Sequence, residues 1–195
     1  MVHAFARAVS ILGHPMLVLP VAALLLATRT LGVREAAWMA LGFAGFAALV
    51  MGWSGWQVRR GRWQHVDASR HEERRTLNRF LLVALALAAV LGWVAGQPVQ
   101  LALGLILAAA LIAVAMLGAR WCKLSLHMAF VIYAAILLSQ LHPGWGIAGL
   151  AFAALMAWSR LKLRRHVPRD LVAGALAGAT AGDLFVWLAP KLAGA

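Results

Sequence analysis

Cysteine, tyrosine and acidic residues are nearly missing from this chain. Among 195 residues there is one cysteine, Cys122, one tyrosine, and six Asp and Glu together. A lone cysteine excludes an intrachain disulfide and a cysteine-based metal site. Charged residues of both signs reach only 12%, against the roughly 25% of a soluble domain. They are also segregated: residues 8–28, 36–58, 80–119 and 124–159 contain no Asp, Glu, Lys or Arg. No linker, low-complexity tract or internal repeat divides the chain, so residues 1–195 read as a single domain.

What remains is 64% hydrophobic. A membrane-spanning helix needs about 20 mostly apolar residues. The two longest charge-free stretches each hold two such segments, because Gly96-Gln97-Pro98 interrupts the first and His142-Pro143-Gly144 the second. With residues 8–28, 36–58 and a last segment near 168–187, the count is seven. A bilayer core offers no water to backbone polar groups, so each segment is expected to be a helix. The predicted fold class is all-α: a polytopic transmembrane helical bundle of about six to seven membrane segments. The length of the first segment and its lack of a clear small-residue cleavage site favour a retained helix over a signal peptide.

Alternating segments divide the connections between two sides. Arg7, Arg59, Arg60, Arg62, Arg70, Arg74, Arg75, Arg79, Arg120, Lys123, Arg160, Lys162, Arg164, Arg165 and Arg169 share one side, fifteen of the 18 basic residues. Only Arg29, Arg34 and Lys191 fall on the other. The positive-inside rule assigns the basic side to the cytoplasm. Trp53, Trp56, Trp63, Trp121 and Trp158 sit at basic-side segment ends, and Trp38, Trp93, Trp145 and Trp187 at the opposite ends. An indole, with one apolar edge and one hydrogen-bond donor, favours that depth.

Three polar clusters gather on the basic side: residues 66–76, with Asp67, Arg70, His71, Glu72, Glu73, Arg74 and Arg75; Lys123-Leu124-Ser125-Leu126-His127; and Ser159-Arg160 followed by His166 and Asp170. Their acids are outnumbered by arginines, a balance that suits a phosphoryl group better than a metal. Arginine pairs bidentately with phosphate oxygens and keeps its charge. One histidine is able to attack phosphorus and another to protonate the leaving oxygen, while Arg and Lys offset charge on the equatorial oxygens. His166 and Asp170 are four apart, so on a helix they share a face, and the carboxylate is placed to orient the ring. Each residue also has a bland reading. Asp170, just after Pro168, suits a helix N-terminus. Interfacial histidines such as His3, His14, His65 and His142 read as bystanders, and Lys162, Arg164 and Arg165 suit contact with lipid headgroups. The joint pattern carries the functional reading.

The third cluster has the form S-R-x-x-x-x-x-H-x-x-x-D, written here Ser159-Arg160, His166 and Asp170. It resembles the third motif of the type 2 phosphatidic acid phosphatase family, in the vanadium haloperoxidase-like superfamily. Leu124-Ser125-Leu126-His127 is similar to the second motif, P-S-G-H, keeping its Ser and His. Of the first motif, K-x-x-x-x-x-x-R-P, only Arg74 matches, with Asp67 in the lysine position and Arg75 in the proline position. The resemblance covers residues 67–170 and points to the integral membrane branch. It implies that His166 is the nucleophile forming a phosphohistidine, that Asp170 orients it and that His127 is the general acid. Arg160, Ser125 and Arg74 would hold the phosphoryl oxygens, and Lys123 or Arg75 would stand in for the missing lysine. No metal ligand and no cofactor is expected.

The expected function is a metal-independent membrane phosphatase acting on a lipid phosphate or a lipid (prenyl) diphosphate. Its expected partners are that substrate and membrane lipids, with no nucleic acid; its expected location is a bacterial inner (plasma) membrane with the motif loops cytoplasmic. The competing readings are a non-catalytic protein that binds or transports anionic lipid headgroups, and a degenerate relative that kept the third motif without activity. The pairing of His166 with Asp170, joined by His127, separates them, since a binder needs only the cations.

Overall fold

The structure, a computed structural model, describes residues 1–29, 31–65, 68 and 70–194, the side chain of His71 excepted. Helix accounts for 83% of them and no strand occurs among them. The α-helices are α1 (Val2–Leu12), α2 (Pro15–Ala27), α3 (Val33–Arg59), α4 (His71–Val94), α5 (Val99–Leu117), α6 (Leu126–Ser139), α7 (Pro143–Lys162) and α8 (Pro168–Ala193), with a 3-10 turn at Gly118–Arg120.

The all-α class and the two breaks at Gly96-Gln97-Pro98 and His142-Pro143-Gly144 hold. The first segment differs from expectation. It is two helices, α1 and α2, bent by 50°. Pro15 lacks the N–H that a continuous helix would use, and the His14 ring caps the new start by accepting from the Met16 N–H at 3.2 Å. Gly13 lies so close to α7 that a Cβ there would overlap the Met156 side chain and stand 3.2 Å from Phe152.

Four helices, α3, α4, α5 and α8, are long and apolar enough to cross a membrane, and the bent α1–α2 pair would make five. α6 is apolar but has only 14 residues, a rise of about 21 Å against the ~30 Å hydrocarbon core. α7 has 20 residues but carries three glycines and ends in Ser159, Arg160 and Lys162. The outward faces are apolar: Leu41, Leu49, Leu87, Ile106, Leu150 and Leu176 are all exposed. An aqueous protein does not present so much exposed apolar surface, and the arrangement is compatible with an integral membrane protein.

α6 is the central helix. Every residue from Met128 to Ala135 is buried, as expected of a helix that is hydrophobic all round. Phe130, Tyr133 and Leu137 pack with Leu103, Leu107 and Phe185 of α5 and α8. Val131 and Ile132 pack with Val9, Ala153 and Met156 of α1 and α7. α8 lies against α6 along Gly174, Gly178 and Gly182, where an added Cβ would meet Ser125, Ala129 and Ile136 respectively.

Candidate functional site

The basic ends of the helices meet through specific bonds. At the end of α7, the Ser159 hydroxyl donates to the Ala6 carbonyl at 2.6 Å. The next residue, Arg160, donates from Nη1 to Ser10 Oγ at 2.9 Å. These bonds dock α1 on the third cluster. Arg160 is 6% exposed, and its Nε has no hydrogen-bond partner among the described residues. No described carboxylate lies within ion-pair distance of it; the ion pairs found are those of Asp170 with His166 and with Arg169. A buried guanidinium without a counter-charge is costly, and the polar group that would offset that cost is an anion.

His166 follows the turn after α7. Its Nδ1 lies 3.3 Å from Asp170 Oδ2, and its side chain is 8% exposed. Burial, followed by the positive charge of Arg160, pushes its pKa down to about 4 against the opposing pull of Asp170. The ring is therefore neutral near pH 7. With Nδ1–H donated to the carboxylate, Nε2 carries the free lone pair. The same carboxylate accepts from the Val167 N–H at 3.3 Å, so Asp170 also caps the first turn of α8. The Cys122 thiol donates to Asp170 Oδ1 at 3.5 Å; burial and this bond raise its pKa and keep it a donor.

The second cluster is tied to the third. The Ser125 N–H donates to the Asp170 carbonyl at 3.0 Å. Ser125 itself is fully buried, and its Oγ caps α6 by accepting from the Met128 N–H at 3.4 Å. It therefore stands behind the site and is not in the cavity wall. Two residues on, His127 faces the cavity. Its ring meets His14 edge-on, with centroids 5.3 Å apart. Lys123 donates from Nζ to the Arg165 carbonyl at 3.1 Å. Burial, then the charges of Arg74, Arg160 and Arg165, lower its pKa, with Asp170 opposing.

Arg74 and Arg75, on the first turn of α4, enter the same cavity wall. Asp67 lies outside the described residues. Glu73 points elsewhere. It accepts from the backbone N–H of Gln64 at 2.8 Å and of Arg70 at 2.9 Å, so it caps α4 and forms no ion pair with a neighbouring arginine among the described residues. No group of three His, Cys, Asp or Glu suited to hold a metal ion occurs among the described residues.

The cavity has a volume of about 1940 Å³, well above the ~300–1,000 Å³ of small-molecule pockets. Its polar end is formed by His14, Arg74, Lys123, His127, Arg160 and His166. Arg75, Arg79, Arg120, Arg164 and Arg165 also line it, with Asn78 and Gln97, and the remaining wall is an apolar groove. Leu81, Leu85 and Ala88 of α4 and Leu101, Leu105, Ala108 and Ile112 of α5 line it at helical spacing, and Phe43 and Phe46 of α3 face them. From Arg74 to Ala88 the wall extends about 21 Å along α4.

No protein family, curated protein or solved structure matched the chain. The reading of the site therefore rests on its chemistry.

Sequence reasoning passed over three members of this arrangement: His14, Ser10 and Cys122. For His14 the signal was Gly13-His14-Pro15, a helix break beside a titratable group inside a charge-free run. His142-Pro143 carries a similar signal, yet there the ring only caps α7, accepting from the Gly144 N–H at 3.0 Å. The sequence does not distinguish the two. Ser10 and Cys122 carried no signal, since their roles depend on which helices meet.

Proposed function

We propose that the protein is a membrane phosphatase of the type 2 phosphatidic acid phosphatase kind, hydrolysing a lipid phosphate or lipid diphosphate through a phosphohistidine. The observation that carries this reading is the buried Arg160, without a carboxylate partner, beside the His166–Asp170 pair at the charged end of a long apolar groove. A water-soluble phosphate ester would have no use for that groove, whereas a lipid chain fills it while its phosphate reaches the arginines.

In the first step His166 Nε2 bonds to phosphorus as the bond from phosphorus to the leaving oxygen breaks. The leaving oxygen takes that bond's electron pair and a proton from His127, whose ring enters the step as the imidazolium against the negative charge of the bound phosphoryl group and leaves it neutral. For a monophosphate the product is an alcohol; for a diphosphate it is a lipid monophosphate. Asp170 holds the His166 Nδ1–H and stabilises the charge that the ring gains. Arg160, Arg74 and Lys123 offset charge on the phosphoryl oxygens, with Arg75 at the rim. In the second step water attacks phosphorus and gives its proton to His127, and the P–N bond breaks to release inorganic phosphate. Ser125 acts from behind by fixing the start of α6, and thus His127.

The finer architecture belongs to the same reading. α6 and α7 complete the membrane bundle to six or seven segments, in a bacterial inner membrane, with the motif loops cytoplasmic.

The test is phosphate release by purified protein from a panel of phosphatidic acid, phosphatidylglycerol phosphate and prenyl diphosphates. His166→Ala should remove activity, by on the order of 10⁴-fold or more for a lost nucleophile. His127→Ala should lower it by about 10²–10⁴-fold. Activity should persist in excess chelator, and orthovanadate should inhibit by adopting the five-coordinate geometry of phosphoryl transfer. Turnover by His166→Ala at the wild-type rate rules the mechanism out.

A further inference from the structure

A second cavity opens at the same end of the bundle, on the far side of Arg164 and Arg165. Its volume is about 560 Å³, and its walls are His3 and Arg7 of α1, the last turn of α7 with Lys162, and the turn carrying Arg164 and Arg165. All the wall side chains that ionise are basic. Among the described residues, none of Arg7, Lys162, Arg164 and Arg165 forms an ion pair.

The turn itself is unusual. The Arg165 N–H bonds back to the Arg160 carbonyl at 3.1 Å and the Arg164 N–H to the Leu161 carbonyl at 2.9 Å. This pair of bonds ends a helix with one residue in the left-handed region, a position that glycine usually fills. Here it is Arg164, with φ of 51°. A Cβ in that region is sterically unfavourable, so the position is occupied by an arginine against backbone preference. Cations at a helix C-terminus do complement its dipole. That account covers Lys162 and Arg165, but it needs no side chain at position 164 and does not bring in His3 and Arg7 from another helix.

We propose that this cavity is an anion site for a phosphate group, supplied either by the headgroup of an anionic lipid or by free phosphate. Guanidinium forks match phosphate oxygens, and a basic pocket between helices at the membrane surface is where an anionic headgroup binds. Arg164 and Arg165 wall both cavities. An anion held here fixes two arginines that also border the polar end of the large cavity. The inference does not rest on the phosphatase reading, since it concerns binding and not turnover.

The experiment is native mass spectrometry of the full chain from bilayer discs of phosphatidylcholine with phosphatidylglycerol added. Wild type should retain phosphatidylglycerol. Arg7→Gln/Lys162→Gln should retain it on the order of thirtyfold less well, given about 1 kcal/mol for each basic residue near an anionic surface. Arg59→Gln/Arg60→Gln, which removes the same charge from the end of α3, should match wild type. Arg164→Gly keeps the fold testable: it should raise the Tm while lowering retention. Retention that survives excess inorganic phosphate identifies a lipid headgroup as the ligand, and displacement by phosphate identifies the bare anion; both support the site. Undiminished retention in the Arg7/Lys162 variant, or an equal loss in the Arg59/Arg60 variant, overturns it. Because retention is read without turnover, a chain that releases no phosphate still gives a result.

Discussion

The ionisation of His166 governs what its bond to Asp170 is worth. With the pKa lowered to about 4 by burial and by Arg160, the ring is protonated only below that pH, where Nε2 loses its lone pair. Above it Nε2 keeps its lone pair. The acid limb of kcat/KM for phosphate release should therefore fall near pH 4, not near the ~6.5 of unperturbed imidazole. A limb near 6.5 would mean that the ring is more solvated in use than it is here. His14 makes a second test at this scale, because its two roles separate. Its Nδ1 caps α2 and its ring abuts His127. His14→Ala should lose about 1 kcal/mol of stability with the cap, and His14→Asn should restore it. Both should lose activity on the order of tenfold through misplacement of His127. His142→Ala, which removes only a cap, should lose stability and keep activity. If His14→Asn is as active as wild type, His14 is a cap alone.

At the scale of elements, the packing of α8 on α6 holds the site together. Ser125, at the start of α6, bonds to the Asp170 carbonyl, and this register depends on the two helices touching. Gly178 lies directly against the Ala129 backbone. Gly178→Leu should therefore destabilise by about 1–3 kcal/mol, as overpacking does, and should lower phosphate release even though residue 178 is two turns from Asp170. Thermal unfolding in detergent, read beside activity, checks both; unchanged unfolding would mean that the helices separate without cost. Gly174, Gly178 and Gly182 recur at every fourth position, a spacing that marks a close-packing face in a membrane helix, but the spacing does not name the partner helix. The same holds elsewhere. Charge-free runs and Pro-Gly breaks located α3 to α5, because exclusion of charge and loss of backbone donors are local properties. The break at Gly13 was missed although Gly13-His14-Pro15 marks it locally; what the sequence does not show is the close approach of Gly13 to Met156 and Phe152 of α7, over a hundred residues away. Ser125 and His127 stood together in the sequence, but one faces the core and the other the cavity. That difference is set by the capping geometry at the start of α6.

At the scale of the whole molecule, the two ends of the bundle are chemically distinct. At one end Lys123 reaches Arg165, Ser125 reaches Asp170 and Ser10 reaches Arg160. At the other, Arg29 donates to the Leu141 carbonyl at 2.6 Å and Lys191 stacks on Trp187. Fifteen of the 18 basic residues belong to the first end by chain order. Arg74 and Arg160, the arginines proposed to bind phosphate, are too few to produce that bias. Arg59, Arg60 and Arg62 lie at the end of α3, where Arg60 sits 4.6 Å over the Trp56 ring, and charges close to a membrane segment are those that set orientation. The motif end should therefore face the cytoplasm, and substrate should be drawn from the inner leaflet. The check is thiol labelling in intact cells with a membrane-impermeant reagent. Cys122 is first replaced by Ser, which keeps a hydroxyl donor toward Asp170. Single cysteines are then placed at Gly144, in the first turn of α7, and at Arg70, before α4; both positions are exposed. The cysteine at 144 should label and the one at 70 should label only after the cells are opened. The opposite pattern would turn the motif end outward, and the basic loops would then owe their charge to an external substrate and not to insertion.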